Sequence, residues 1–254
     1  MKIDFNKIYH GKCLEVMKYI PDNTIDMIYC DLPFGTTQNK WDVIIPFELL
    51  WEQYKRIIKP NGAIVLHAAE PFASLLRLSN LDWYKYDWVW NKKRPTGQLN
   101  AKIQPLRQHE VICVFYKNQC TFNPIFHENR LKREFVGKVD KNNKESDNYG
   151  SQYQYESNIT NQSKSYPRSI IEQTAVIGNS KEKLPHATQK PVALAEYLIC
   201  TYSNEGDVIL DNCIGSGTAA IACINTNRKY IGIEKCLTNY SMAVDRVFHH
   251  QNLC

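Results

Sequence analysis

The stretch that decides the fold is Asp207-Val208-Ile209-Leu210-Asp211-Asn212-Cys213-Ile214-Gly215-Ser216-Gly217-Thr218. Its apolar start reads as a buried strand that runs through a glycine turn into a helix, SGTAAIACINTN. Glycines there let a ligand approach the backbone beside a helix N-terminus. The next strand, KYIGIE, ends in Glu234, an acid placed to bond the two hydroxyls of a ribose. Ala220 holds the third-glycine position, so the pattern is not GxGxxG. Strand, glycine turn, helix and strand-end acid together favour a nucleoside-type ligand over a purely structural glycine pair.

Outward from this unit, strands alternate with helices as in an α/β fold. KIYH is a short strand, CLEVMKYI an amphipathic helix, and TIDMIYC a buried strand that stops at Asp31-Leu32-Pro33-Phe34-Gly35. A helix over 47–58 closes at Pro60-Asn61-Gly62. AIVLHA, a short helix near 72–78, YDWVWNK and EVICVFYK follow, with Lys92-Lys93-Arg94-Pro95 leading out of YDWVWNK. Periodicity fades over 118–184, and 137–169 is crowded with Asn, Ser, Gln, Lys and Tyr. A loop that long inside a compact domain is functional or disordered, and we read it as an insertion that orders on a partner. Order returns with KPVALAEYLICTYS, a helix with Pro191 in its first turn, and ends in a helix over 237–249. The expected organisation is therefore 1–117, the insertion 118–184, and 185–254.

Two further clusters carry chemistry. Asp31-Leu32-Pro33-Phe34 ends a parallel strand, the edge where ligands bind in open α/β sheets. Its carboxylate, proline-shaped carbonyls and ring can accept bonds from a planar amine and stack on the ring that carries it. Thr188-Gln189-Lys190-Pro191 precedes a helix and offers a hydroxyl, an amide, an ammonium and free N–H groups, which suit a carboxylate. Each alone is an ordinary turn or helix start.

The 254 residues suffice for a sizeable core. Composition, 43% hydrophobic and 22% charged, argues against disorder, collagen or coiled coil. No apolar run approaches a membrane span, and the polar opening MKIDFNKIYHGK reads as no signal peptide. Nine cysteines with no CxxC pair point to reduced thiols, no structural zinc and a cytoplasmic location. The net charge of +5 is uneven: residues 85–144 hold thirteen Lys/Arg against five Asp/Glu, which suggests a polyanion-binding face.

Taken together, the three clusters make the chain resemble the DNA amino-methyltransferases, the N6-adenine and N4-cytosine family that uses S-adenosylmethionine. Asp31-Leu32-Pro33-Phe34 is similar to the family's catalytic (D/N/S)PP(Y/F) tetrad. The run from Asp211 to Thr218 is similar to its cofactor motif, and Thr188-Gln189-Lys190-Pro191 to the segment before the first cofactor-binding strand. The order of tetrad, variable region and cofactor motif matches the subgroup called β. Leu32 replaces the tetrad's first proline. Lys12 stands where related chains often have Asp, and no site residue is assigned there.

The resemblance implies a doubly wound, mostly parallel, seven-stranded Rossmann-like sheet carrying a target-recognition insertion. It implies methyl transfer to N6 of an adenine flipped out of duplex DNA, with N4 of cytosine as the alternative. Asp31 and the Leu32 carbonyl would bond the amine, Pro33 would shape the turn, and Phe34 would stack on the base. Asp211, Cys213, Gly215, Gly217, Thr218, Glu234, Thr188, Gln189 and Lys190 would hold the cofactor, Lys190 lying near its carboxylate. Trp90, Lys92, Lys93, Arg94, Lys138 and Lys141 are DNA-contact candidates. No metal is expected. A cognate restriction endonuclease and a homodimer stay open as partners. A nicotinamide-dependent oxidoreductase, a methyltransferase of RNA or of a protein amide, and a DNA-binding relative with a decayed site are the rival readings.

Overall fold

The structure is a computed structural model that describes residues 1–37, 39, 42–128, 164–186 and 188–252. Along the chain the elements are β1 (Lys7–His10), α1 (Cys13–Met17), β2 (Ile25–Asp31), α2 (Phe47–Ile57), β3 (Ile58–Ala68), α3 (Phe72–Leu78), β4 (Tyr84–Thr96), β5 (Arg107–Phe115), β6 (His127–Glu128), β7 (Lys164–Ser165), β8 (Ile170–Glu172), α4 (Val192–Tyr202), β9 (Val208–Asp211), α5 (Thr218–Asn225), β10 (Lys229–Glu234) and α6 (Leu237–Gln251).

One compact unit comprises 1–123 with 168–254, and a second comprises 124–167. In the second, β6 and β7 pair antiparallel, with His127 opposite Ser165. Phe126 tilts against Tyr166 there, ring centres 4.9 Å apart. Most of the polar stretch 137–169, with Lys138 and Lys141, lies outside the described residues.

The first unit is built on a sheet of order β1-β10-β9-β2-β3-β5-β4-β8. All neighbours pair parallel except where β5 meets β3 and β4. The seven expected strands are present, and a three-residue eighth, β8, extends the edge beside β4. Residues 168–184 therefore belong with the sheet: Ile171 is buried, and Trp90 Nε1 donates to Gln173 O at 2.7 Å.

The near-continuous apolar runs of β2 and β3 follow from burial on both faces. Ile28, Cys30, Ile64 and Leu66 face α1, α2 and α3 through Met17, Tyr54 and Phe72. Met27, Tyr29, Ala63 and Val65 face α4 and α5 through Leu198, Tyr202 and Ala220. Two helical layers thus cover one sheet, as the alternation of elements requires. Among the described residues no helix is long and apolar enough to cross a membrane. The eight described cysteines are free thiols.

Two local departures from the sequence reading share a cause. The turn expected at Pro60-Asn61-Gly62 is a bulge within β3, because Ile58 pairs with Ile25 while Ala63 pairs with Met27. Lys92-Lys93-Arg94-Pro95 likewise does not leave β4 but bulges within it, between Asn91 opposite His109 and Thr96 opposite Arg107. Proline and glycine mark a break in the ladder; only pairing with a distant strand decides whether the strand resumes.

Gly62 sits where that first bulge crowds its neighbours. A Cβ there would lie 2.6 Å from Ile58 Cγ1 and 2.8 Å from the Asp26 carbonyl oxygen. Gly62→Ala is expected to cost about 1–3 kcal/mol by overpacking, seen as a lower urea midpoint with an unchanged m-value.

Candidate active site

The carboxyl ends of β2, β9 and β10 bring Asp31, Asp211 and Glu234 to one edge of the sheet. β9 and β2 are neighbours, while the strands that follow them, β10 and β3, lie on opposite sides. Such a reversal of strand order leaves a crevice at the carboxyl edge. A pocket of about 810 Å³ opens there, a volume suited to a nucleoside-sized ligand and a second ring. Asp31, Leu32, Pro33, Phe34, Thr188, Gln189, Lys190, Asp211, Cys213, Gly215, Thr218 and Glu234 all line it, although they come from three separated stretches.

Its floor carries a row of alternating charges. Lys190 Nζ lies 2.7 Å from Asp31 Oδ2 and 3.2 Å from Glu110 Oε2. Lys92 Nζ lies 3.3 Å from Glu110 Oε1. Four segments, the ends of β2, β4 and β5 and the lead into α4, are joined by two carboxylates and two ammoniums. Burial acts against the charge on Lys190, yet the two carboxylates outweigh it and hold its pKa above the ordinary value. Burial also opposes the Glu110 charge, and Lys190 with Lys92 overrides it, holding that carboxyl near 2. Asp31 shifts upward: burial and the Glu110 charge exceed the pull of Lys190. Asp31 Oδ1 accepts no hydrogen bond among the described residues. Lys190 Nζ also lies 5.8 Å from the Phe34 ring centre and 5.9 Å from that of Trp90.

The turn after Asp31 is held from one point. Asp42 accepts the N–H groups of Gly35, Thr36 and Thr37 at 2.7–3.0 Å. Phe34 stacks on Phe72, ring centres 5.1 Å apart, which fixes its plane at the pocket wall. Leu32 turns its side chain into the core instead.

At the glycine turn, Glu234 accepts the N–H groups of Gly215 at 3.0 Å and Cys236 at 2.8 Å. It thereby joins the end of β10 to the turn after β9. Gly217, at φ +81°, is the N-cap of α5 and does not line the pocket. A Cβ on it would meet Ala243 of α6 at 3.3 Å, so its role is close helix packing. Thr218 Oγ1 donates to Lys190 O and receives Arg246 Nη1 at 3.2 Å each, which pins the lead into α4 onto α5. Gln189 serves that same loop: its amide donates to Glu182 O at 2.6 Å and accepts Leu184 N at 2.9 Å. Thr188 is the exposed member of the segment. Asp211 Oδ1 accepts Cys213 N at 3.1 Å, and burial pushes that carboxyl up to about 7.

Of the DNA-contact candidates, Trp90 is buried in the pocket wall and Lys92 is committed to Glu110. Lys93 and Arg94 are exposed, Lys93 pairing with Glu172 at 3.1 Å. Lys190, expected near a ligand carboxylate, has its ammonium on Asp31 and Glu110. Sequence reasoning missed Glu110 and Asp42. It also left Gly11, Lys12 and Cys13 unassigned, and all three line the pocket. His67, 0% exposed between Tyr29 and Trp90, was missed too; burial drives its pKa down to about 3, so it is neutral. Among the described residues no cluster could hold a metal ion.

The family model described as DNA methylase matches residues 25–245. The chain is 28% identical to Type II methyltransferase M.HpaI of Haemophilus parainfluenzae, over 93% of this chain and 72% of that one. It is 28% identical to the DNA adenine methyltransferase YhdJ of Escherichia coli strain K12, over 89% of this chain and 77% of that one. Among solved structures, M1.HpyAVI in its SAM complex superposes with a TM-score of 0.64 at 23% identity, covering 95% of this chain and 98% of that one. The cytosine-N4-specific PvuII DNA methyltransferase superposes at 0.65 with 13% identity, covering 99% and 93%. These two structural likenesses speak for the fold.

Asp211 gives the site a signature in stability. Its folded pKa, about 7, exceeds its ordinary 3.8, so the folded state holds the proton more tightly. That contribution is full below pH 3.8 and is lost as pH rises to about 7, with a slope of up to about 1.4 kcal/mol per pH unit. Asp211→Asn should remove it. The variant's Tm, relative to the parent's, should rise between pH 4 and pH 8; a constant difference would mean that Asp211 titrates like an exposed carboxyl.

Proposed function

The chain belongs to the DNA methylase family of the N6/N4 type, and we propose that it moves a methyl group from S-adenosylmethionine to N6 of an adenine turned out of duplex DNA. The observation that carries this reading is the single pocket edge shared by Asp31-Leu32-Pro33-Phe34 and the Asp211–Glu234 crevice. Nothing else in the rival readings uses both. A nicotinamide enzyme would leave Asp31 and its ammonium partner without a task.

The donor set suits the cofactor. Glu234 at a strand end suits a cationic ligand and keeps lone pairs for ribose hydroxyls after its two backbone bonds. Thr188 offers an exposed hydroxyl for a carboxylate, since Lys190 is engaged elsewhere. When bound, S-adenosylmethionine supplies a methyl carbon on a sulfonium, a good leaving group.

The chain's own residues do the rest. The adenine amine is a poor nucleophile because its lone pair is delocalised into the ring. An N–H of that amine donating to Asp31 Oδ1, and the other to the Leu32 carbonyl, would localise the lone pair. Lys190 on Oδ2 keeps the Asp31 carboxylate charged and oriented, so that Oδ1 can accept. Phe34, braced by Phe72, presents its ring to the base. Positioning of this kind supplies much of the rate, and the base must leave the stack to reach it. Adenine is favoured because Asp opens the tetrad and because YhdJ is an adenine methyltransferase. The Type II designation of M.HpaI supports a place in restriction-modification beside a cognate endonuclease. The reading also takes the cytoplasm as the compartment, a homodimer as the assembly, and, of the stretch 118–184, the part from 124 to 167 outside the sheet as the target-recognition region, with Lys138 and Lys141 on DNA.

Incubation with labelled cofactor and plasmid DNA, followed by nucleoside mass spectrometry, tests the activity: N6-methyladenine is expected, and N4-methylcytosine would move the target. Asp31→Ala should abolish transfer at a cost of about 3 kcal/mol or more while leaving cofactor affinity within a few-fold by titration calorimetry. Lys190→Met should move the acid limb of the rate profile upward, because the buried Asp31 loses its opposite charge. An unmoved limb would mean that Lys190 does not govern Asp31.

A further inference from the structure

The ladder between β4 and β5 closes with Thr96 opposite Arg107, and residues 97–106 project beyond it. Both closing residues line the pocket, so the projection rises from the pocket's rim. It carries Leu99, 102% exposed, and Ile103, 82% exposed, the two most exposed large apolar side chains among the described residues. The two apolar side chains share one tip beside the pocket, instead of being scattered singly over the surface.

The tip is ordered. Gln98–Asn100 form a 3-10 turn, and Asn100 O receives both Ile103 N and Gln104 N at 3.0 Å. The two apolar side chains therefore stand on consecutive hydrogen-bonded turns. Around them positive charge prevails, with Lys93 paired to Glu172. Residues 91–109 hold Lys92, Lys93, Arg94, Lys102 and Arg107 and no Asp or Glu. Four of the five cations are exposed; the fifth, Lys92, is committed to Glu110. Gln98, Asn100, Gln104 and Gln108 add amides that can bond phosphates or base edges.

We propose that Leu99 and Ile103 are a wedge that enters the base stack of duplex DNA and fills the gap left by the target base. The proposal rests on the methyltransferase reading and goes beyond it by naming what keeps the duplex open. Apolar side chains inserted at a base step replace stacking lost on unstacking, while flanking cations hold the phosphates. The wedge lies on the same hairpin as Trp90, Lys92 and Glu110. A base turned away from the wedge would thus have the Asp31 pocket directly beside it. Exposed cations with four amides around the two apolar side chains suit a phosphate backbone with a base step beside it better than the polar rim of a protein interface.

The test uses a duplex whose methylated site has been located on plasmid DNA, with the target either paired or opposite an abasic site. Extrusion is cheaper from the second. The double variant Leu99→Ala/Ile103→Ala alters only exposed side chains, so folding and cofactor binding should be those of the parent. On the paired duplex we expect kcat/KM to fall about tenfold or more, and on the abasic-opposed duplex to stay within about twofold. The fluorescence rise of 2-aminopurine at the target should fall in parallel. Equal losses on both duplexes would overturn the wedge in favour of general DNA contact. Full activity on the paired duplex would overturn it outright. A parent protein that methylates no DNA would overturn the reading beneath it as well.

Discussion

The site depends on one ammonium. Lys190 sits between Asp31 and Glu110 with its side chain only 10% exposed, and a lone charge so placed would cost several kcal/mol. The cost is offset only because charges alternate from Asp31 to Lys92 and leave the row neutral. Removing any one member leaves an uncompensated neighbour. The lead into α4 must therefore lie over the end of β2, and the Thr218 and Gln189 bonds exist to hold it there. A buried row of this kind is weak evidence for stability and better evidence for function. Apolar residues of like volume would fill the space as well, but they could not keep a carboxylate charged and aimed at the pocket.

The chain order and the spatial order differ in a way that explains the architecture. The glycine turn comes late in the sequence and the tetrad early, yet β9 and β2 are neighbours. Pocket and crevice meet because the strand order reverses between them, not because the motifs are close in sequence. Central strands buried on both faces make that arrangement rigid. The Asp42 clamp and the Phe34–Phe72 stack extend the rigidity into the turn itself.

This also sets what could be read from the sequence. Asp31, Asp211 and Glu234 were legible because each ends an apolar run, and parallel strands put such ends on one edge. The helices were legible from their period. The partner of Asp31 was not. Glu110 lies on an antiparallel strand, and it reaches Lys190 only through the β3–β5–β4 register, which no local pattern encodes. Lys92 reads from sequence as a DNA contact because a run of cations looks solvated; its burial follows from alternation along β4, which turns Lys93 outward. Glycines told a mixed story. Gly217, expected at a ligand, packs closely on Ala243, since a positive φ marks close approach without saying of what.

The hairpin of β4 and β5 has a consequence for how such proteins diverge. Everything below the Thr96–Arg107 pair is locked to the core by the ladder, while everything above it is closed loop. Lengthening a closed loop costs little, about 0.6 kcal/mol for each doubling. Changes in its length or residues are thus insulated from the charges beneath. The scaffold behaves as a tool with a fixed handle and an exchangeable bit, on which selection can rework contact with a substrate without reopening the problem of folding.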